Sequence, residues 1–222
     1  MTDSLLYTIA VLGGTGKEGK GLAYRWAKAG YKVIIGSRAA EKAQAAAAEV
    51  SDMLNNKASI EGLDNLSAAK KADIAVLTVP YAAHRDTLLG LKEALQGKIL
   101  VDVTVPLVPP KVTKVQMPPA GSAAQEAVEI LGEGVQVVDA FQNISFEHLM
   151  HGDEIPCDVL VTGTSKAARE EVLKLVEAAG LTGWDAGPIE NSVVVEGLTS
   201  ILIYLNKQYG STHAGIKLTG IG

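Results

Sequence analysis

The sequence predicts an α/β protein, a doubly wound parallel sheet followed by a small C-terminal α/β domain. Three observations carry this reading. A glycine-rich turn, Gly13-Gly14-Thr15-Gly16-Lys17-Glu18-Gly19, divides an apolar β-branched run from an amphipathic segment. Apolar runs of strand length then alternate with segments of helical period along the chain. Hydrophobic residues make up 47% of 222, with 23 glycines, a composition suited to helices lying close on a sheet.

Taken in order, Tyr7–Leu12 is the first predicted strand, and it ends at the turn. Gly14, Gly16 and Gly19 take the G-x-G-x-x-G spacing: one for the tight turn, one so that backbone can approach a pyrophosphate, one so that the helix can lie on the strand. The helix that follows directs free N–H groups and the positive end of its dipole at the phosphates, which makes Gly14, Thr15, Gly16, Lys17 and Gly19 cofactor-binding candidates. Residues 19–29 place Leu22, Ala23, Trp26 and Ala27 on one face, and Gly30 stops the helix. Lys32–Gly36 is the second strand and delivers Ser37 and Arg38. A protein selective for NAD carries a carboxylate here, which accepts from the ribose 2′-OH and repels a phosphate. A hydroxyl and a guanidinium match phosphate oxygens instead, so the cofactor is read as NADP. Lys42, one helical turn beyond Arg38, adds a second cation, and Thr15 a hydroxyl. This strand–turn–helix–strand unit predicts a Rossmann NADP-binding domain over residues 1–142.

Residues 39–54 read as a crossover helix, 59–62 as a third strand and 65–71 as a short helix. Asp73–Pro80 is a continuous apolar run, hence a buried parallel strand, closed by proline. Ligands in such sheets lie beyond the carboxyl ends of the strands, so Thr78, Val79, Pro80 and Tyr81 are expected to face the dinucleotide. His84, one turn further, lies near the site or is an ordinary core or solvated histidine. Gly97–Asp102 is the fifth strand. The following Val103–Pro110 is proline-rich and cannot join a ladder; it is either a rigid apolar surface for a flat ring or a linker. A helix over 122–131 and a sixth strand over 135–139 lead to Ala140-Phe141-Gln142-Asn143-Ile144-Ser145.

Residues 143–222 form the predicted C-terminal domain: strands at 158–162 and 182–187 around a helix at 166–179, then a long apolar helix over 190–209. His148-x-x-His151 lies near acids and Cys157, but without the tight, repeated spacing of zinc ligands. Residues 147–154 are therefore read as a polar loop and no metal is expected. Cys157, the only cysteine, excludes an intrachain disulfide and reads as a buried, inert thiol. Net charge of −5 with no long basic run argues against a nucleic-acid partner. No apolar run approaches a membrane span, and the first residues lack a signal-peptide pattern, so a cytoplasmic protein is expected.

Leu12-Gly13-Gly14-Thr15-Gly16, Gly36-Ser37-Arg38, Asp73–Pro80, Val105-Pro106-Leu107, Asp185-Ala186-Gly187-Pro188 and Ala214-Gly215-Ile216-Lys217 together resemble the NADPH-dependent reductases of coenzyme F420, a deazaflavin. The late blocks are the more specific. The resemblance implies hydride exchange between NADPH C4 and the deazaflavin C5, with Thr15, Ser37, Arg38 and Lys42 on the 2′-phosphate. It implies a cleft between the Rossmann part and the C-terminal domain, where the second ring meets Val79-Pro80, Val105-Pro106 and Gln142-Asn143-Ile144. It also implies a homodimer, to which the apolar final helix adds weight. Gln142 departs from the histidine of archaeal members. Carbonyl reduction calls for a positioned acid, and no Tyr-Lys, His-Asp or Lys-Asn set appears. Transfer between stacked carbon centres needs mainly proximity and orientation, so no catalytic residue is assigned. The alternatives are an NADPH-dependent reductase of a flavin, quinone, metal chelate or imine, and a non-enzymatic NADP-binding redox sensor.

Overall fold

The computed structural model describes residues 7–150 and 155–221. Among them the elements run β1 (Thr8–Leu12), α1 (Lys17–Lys28), β2 (Lys32–Ser37), α2 (Ala40–Met53), β3 (Ile60–Asp64), α3 (Asn65–Lys71), β4 (Ile74–Leu77), α4 (Tyr81–Leu95), β5 (Ile99–Asp102), α5 (Ala123–Leu131), β6 (Gln136–Asp139), α6 (Phe146–Met150), β7 (Asp158–Gly163), α7 (Lys166–Ala178), β8 (Thr182–Pro188), a 3-10 turn (Ile189–Asn191) and α8 (Ser192–Tyr209). All eight strands share one sheet in the order β3-β2-β1-β4-β5-β6-β7-β8. The first six are parallel, in the order of a dinucleotide-binding sheet, and the order reverses between β1 and β4. β7 then pairs antiparallel with β6 through Val138–Gly163 and Asp139–Thr162, and β8 runs parallel to β7.

Alternation along the strands builds two cores. Ile9, Val11, Val33 and Ile35 face α1, α2 and α7, where Trp26 is fully buried. Its indole N–H donates to Leu175 O at 2.8 Å and its ring meets Phe141 edge-on at 5.7 Å. Ala10, Leu12, Ile34 and Leu77 point the other way, to Leu88, Leu91, Leu95 and Leu131 of α4 and α5. α1 ends as its sequence suggests: Gly30 (φ +95°) turns the chain, with Gly30 N donating to Ala27 O and Tyr31 N to Trp26 O.

Element bounds differ from the sequence reading in several places. β4 is shorter than residues 73–80, since Asp73 accepts from Thr8 N and Pro80 caps the next helix. α8 begins at Ser192, after the 3-10 turn. The predicted polar loop is in part the helix α6, because Leu149 packs under Gly21 and the buried Arg25 donates to Leu149 O at 2.9 Å and His148 O at 2.7 Å. Residues 151–154, and with them His151, lie outside the described residues. Among the described residues no helix is long and apolar enough to cross a membrane.

Candidate functional site

A cleft of ≈ 1220 Å³ opens beyond the carboxyl ends of β1, β2, β4, β5 and β6. Drug-sized ligands occupy roughly 300–1,000 Å³, so the space exceeds one such guest. The glycine turn forms one end. Gly13 sits at φ +71° and a Cβ there would strike Val79 Cγ1 at 2.4 Å, while its N–H donates to Asn65 Oδ1 at 3.1 Å. The motif glycines divide by role. A Cβ on Gly14 would lie 2.6 Å from Val11 O, and one on Gly19 2.6 Å from Gly14 Cα, so both are required for α1 to rest on β1. Gly16 has nothing within 4 Å of that position and faces the cleft.

Three helices aim their N-termini at the cleft through Gly16, Ala39 and Pro80, and none of the three has a side-chain cap. By contrast α3, α5 and α7 are capped by Asp64, Ser122 and Ser165. Among the described residues the first N–H groups of α1, α2 and α4 have no side-chain partner, apart from Ala39 N, which donates to Ser37 Oγ at 3.4 Å, and a helix end in this condition binds an anion. Arg38 and Lys42 bring positive charge to the same wall, with neither in an ion pair among the described residues, and Ser37 is buried beside them. These features fit a phosphorylated dinucleotide.

Of the residues singled out from sequence, Thr15, Gly16, Ser37, Arg38, Lys42, Thr78, Val79, Pro80, Val105, Gln142, Asn143 and Ile144 line this one cleft. Gly14 and Gly19 sit behind it as spacers. Lys17 is not itself in the lining, though its ammonium stands 4.7 Å from the centre of the Phe146 ring, and Pro106 is buried outside the lining. His84 does not reach the cleft: it is a core histidine, fully buried and bonded to Asp102. The sequence reading found no His-Asp set because 18 residues separate these partners and only the pairing of β4 with β5 unites them.

Several lining residues were not among the binding candidates read from the sequence. Thr199, Leu202, Ile203 and Asn206 come from α8, and Thr212 and Ala214 from the tail that folds back after it. Asn143 Nδ2 ties this wall to the β6 loop, donating to Val195 O at 3.0 Å and Thr199 Oγ1 at 3.1 Å. Phe146 also lines the cleft, at the start of α6.

Two ionisable lining groups are shifted. Burial pushes Glu18, in the first turn of α1, up to about 8. Tyr81 is pushed up to about 12 by burial and by Glu126, whose Oε2 accepts from its hydroxyl at 3.1 Å. Such a phenol keeps its proton at neutral pH. Burial likewise raises the Cys157 thiol, which donates to Asn143 O at 3.5 Å. Among the described residues no group of three or more His, Cys, Asp or Glu is placed to hold a metal ion.

A family profile described as "NADP oxidoreductase coenzyme F420-dependent" matches residues 8–106. An F420-dependent NADP reductase of Methanocaldococcus jannaschii is 41% identical over 221 residues, covering 96% of this chain and 98% of that protein. One from Methanothermobacter thermautotrophicus is 39% identical, covering 100% and 98%. A crystal structure described as an F420-dependent NADP-reductase from Arthrobacter sp. FB24 superposes with a TM-score of 0.79 at 27% identity, covering 96% of this chain and 99% of that one.

Proposed function

The chain belongs to the family of coenzyme F420-dependent NADP reductases, and from that premise we infer that it is an oxidoreductase passing a hydride between NADPH and the deazaflavin coenzyme F420. When bound, the two cofactors supply the chemistry, with hydride moving between nicotinamide C4 and deazaflavin C5. The protein's part is to hold and orient. Thr15, Ser37, Arg38 and Lys42 are proposed to hold the 2′-phosphate, and the uncapped N-termini of α1 and α2 to receive phosphate oxygens. Val79-Pro80, Val105-Pro106 and Gln142-Asn143-Ile144 are proposed to shape the ring end, closed from the far side by α8 and the tail. In this reading residues 1–142 bind NADP, and residues 143–222 complete the cleft for the second cofactor.

The observation that carries the mechanism is a cleft of ≈ 1220 Å³, more than one drug-sized guest needs, whose one tyrosine among the described residues, Tyr81, holds its proton. Aligned stacking of two carbon centres asks no acid of the protein. Transfer to another acceptor, and a purely sensory role, are not favoured. Mixing the protein with NADPH and F420 and following the absorbance of both is the test: loss of the NADPH band in step with F420 reduction is expected, and absence of transfer refutes the reading.

Two finer features belong to the same proposal. α8 leaves Val194, Ile201, Tyr204 and Tyr209 exposed on its outer side, an apolar stripe that supports a homodimer. Light scattering on the eluting protein should give twice the chain mass. Cys157, the lone cysteine and free of any disulfide, supports a cytoplasmic site of action, which cell fractionation would check.

A further inference from the structure

Behind the ring end of the cleft lies a pair of ionisable side chains that hydride transfer leaves idle. His84, on the first turn of α4, donates from Nε2 to Asp102 Oδ2 at 2.6 Å, and both side chains are fully buried. Asp102 ends β5. Its other oxygen, Oδ1, accepts from Thr104 N at 3.0 Å, and its backbone carbonyl accepts from Gln142 Nε2 at 2.7 Å. Thr104 Oγ1 in turn donates to Val79 O at 3.4 Å. One carboxylate residue therefore joins the loops that follow β4, β5 and β6. Val79, Thr104 and Gln142 all line the cleft, whereas His84 and Asp102 stay behind it.

A buried, bonded pair of this kind gives little net stability over apolar side chains of the same volume, because desolvation offsets the attraction. What it supplies and dispersion does not is direction, since a hydrogen bond weakens steeply as its angle closes. Burial opposes charge on His84, but the Asp102 carboxylate with its hydrogen bond, then Glu126 and Glu196, outweigh this and raise its pKa. Nε2 carries a proton in the charged form, and the bond to Asp102 keeps it there in the neutral one. Among the described residues Nδ1 makes no hydrogen bond, and it stands 3.6 Å from Glu126 Oε2.

We propose that His84 and Asp102 are positioning residues for the ring cleft: their directional hydrogen bonds fix Val79, Thr104 and Gln142 relative to one another and so set the rate of hydride transfer, while touching neither cofactor. This rests on the reading of the cleft as a two-ring site. Nicotinamide and acceptor react only when their faces meet at a defined separation, and an error of an ångström in a wall costs far more in rate than in affinity.

The test compares the parent with His84→Leu, which fills the volume, His84→Gln, whose amide nitrogen falls near Nε2, and Asp102→Asn. Single-turnover transfer from NADPH to F420 should slow at least ~10-fold in H84L and D102N with KM for NADPH within ~3-fold, and H84Q should recover to within ~3-fold of the parent. A second readout needs no acceptor: the emission of bound NADPH, which rises when the nicotinamide is immobilised. H84L should bind NADPH but lose that rise, and H84Q should keep it. Transfer within twofold of the parent in both H84L and D102N, a loss confined to KM, or unchanged emission in H84L overturns the proposal. Should H84L fail to fold, D102N and H84Q decide it by the same two measurements. A parent that passes no hydride to F420 would sink the acceptor assignment, and the emission experiment would still decide the roles of His84 and Asp102.

Discussion

Arg38→Ala tests the nucleotide end of the cleft most directly. The side chain is exposed and makes no ion pair among the described residues, so its removal breaks no salt bridge there. Folding stability should stay within ~0.5 kcal/mol, as for surface changes that touch nothing. The effect is then confined to the ligand. A charge-assisted hydrogen bond is worth ~1.5–3 kcal/mol, and solvent around an exposed guanidinium favours the lower half of that range. At ~1.4 kcal/mol per decade, NADP affinity should fall ~10- to 50-fold. NAD, which lacks the phosphate, should lose less than ~2-fold. The assay is titration of both nucleotides into parent and variant by calorimetry at one fixed low salt, since screening shrinks the difference. Equal losses for NADP and NAD would refute the reasoning, as would an unchanged NADP affinity. Ser37 and Lys42 would then be left to account for any preference.

The other expectations concern the glycine turn and two acids. Gly14→Ala drives a Cβ to 2.6 Å from Val11 O, so it should cost ~1–3 kcal/mol and lower the melting temperature by several degrees, whereas Gly16→Ala meets nothing within 4 Å and should leave melting unchanged while weakening NADP, both read by calorimetric scans with and without ligand. Glu18 is pushed up to about 8 by burial and lines the cleft at the first turn of α1, so its neutral form accepts a nearby phosphate and its charged form repels one. NADP affinity should accordingly decline as pH rises through about 8, and Glu18→Gln should flatten that decline in a fluorescence titration across pH 6–9. Glu196, fully buried, is also raised to about 8, chiefly by burial, while Ala123 N and Ala124 N donate to its oxygens and oppose the shift. Because its folded pKa lies above the unfolded one, the folded state holds the proton more tightly; the stability this gives is complete below the ordinary carboxylate range and is lost as pH climbs to about 8. Melting temperature should fall over that window, and Glu196→Gln should melt lower at pH 5 but with a shallower pH slope.

The first 80 residues were legible in the sequence because their signals are local. Val11 and Leu12 run straight into Gly13 and Gly14, Trp26 recurs on the helical face of Leu22, and Ser37 and Arg38 follow the second strand at once. Each of these follows from period, turn chemistry or charge within a few positions. The far wall of the cleft was not legible. Thr199 meets Asn143 across 56 residues, and nothing near either in sequence announces the other. α6 hid for a related reason: Glu147 and His148 look like loop, and the segment is helical because Leu149 finds Gly21 and because Arg25, more than 120 residues away, takes up its carbonyls. Asp102 read as the last residue of a strand, and its work as a junction depends on His84 and Gln142 arriving from separate crossovers.

The reversal at β6 and β7 has a practical outcome for thermal work. Since the backbone ladder passes through that join without a gap, no hinge separates the two ends of the sheet, and they should melt in one step. The protein carries two indoles: Trp26 of α1, which donates to Leu175 O of α7, and Trp184 on β8, where it donates to Asp158 Oδ2 at 2.9 Å. Single-tryptophan versions should therefore lose their emission at the same temperature, and dinucleotide added at one end should raise both midpoints by the same number of degrees.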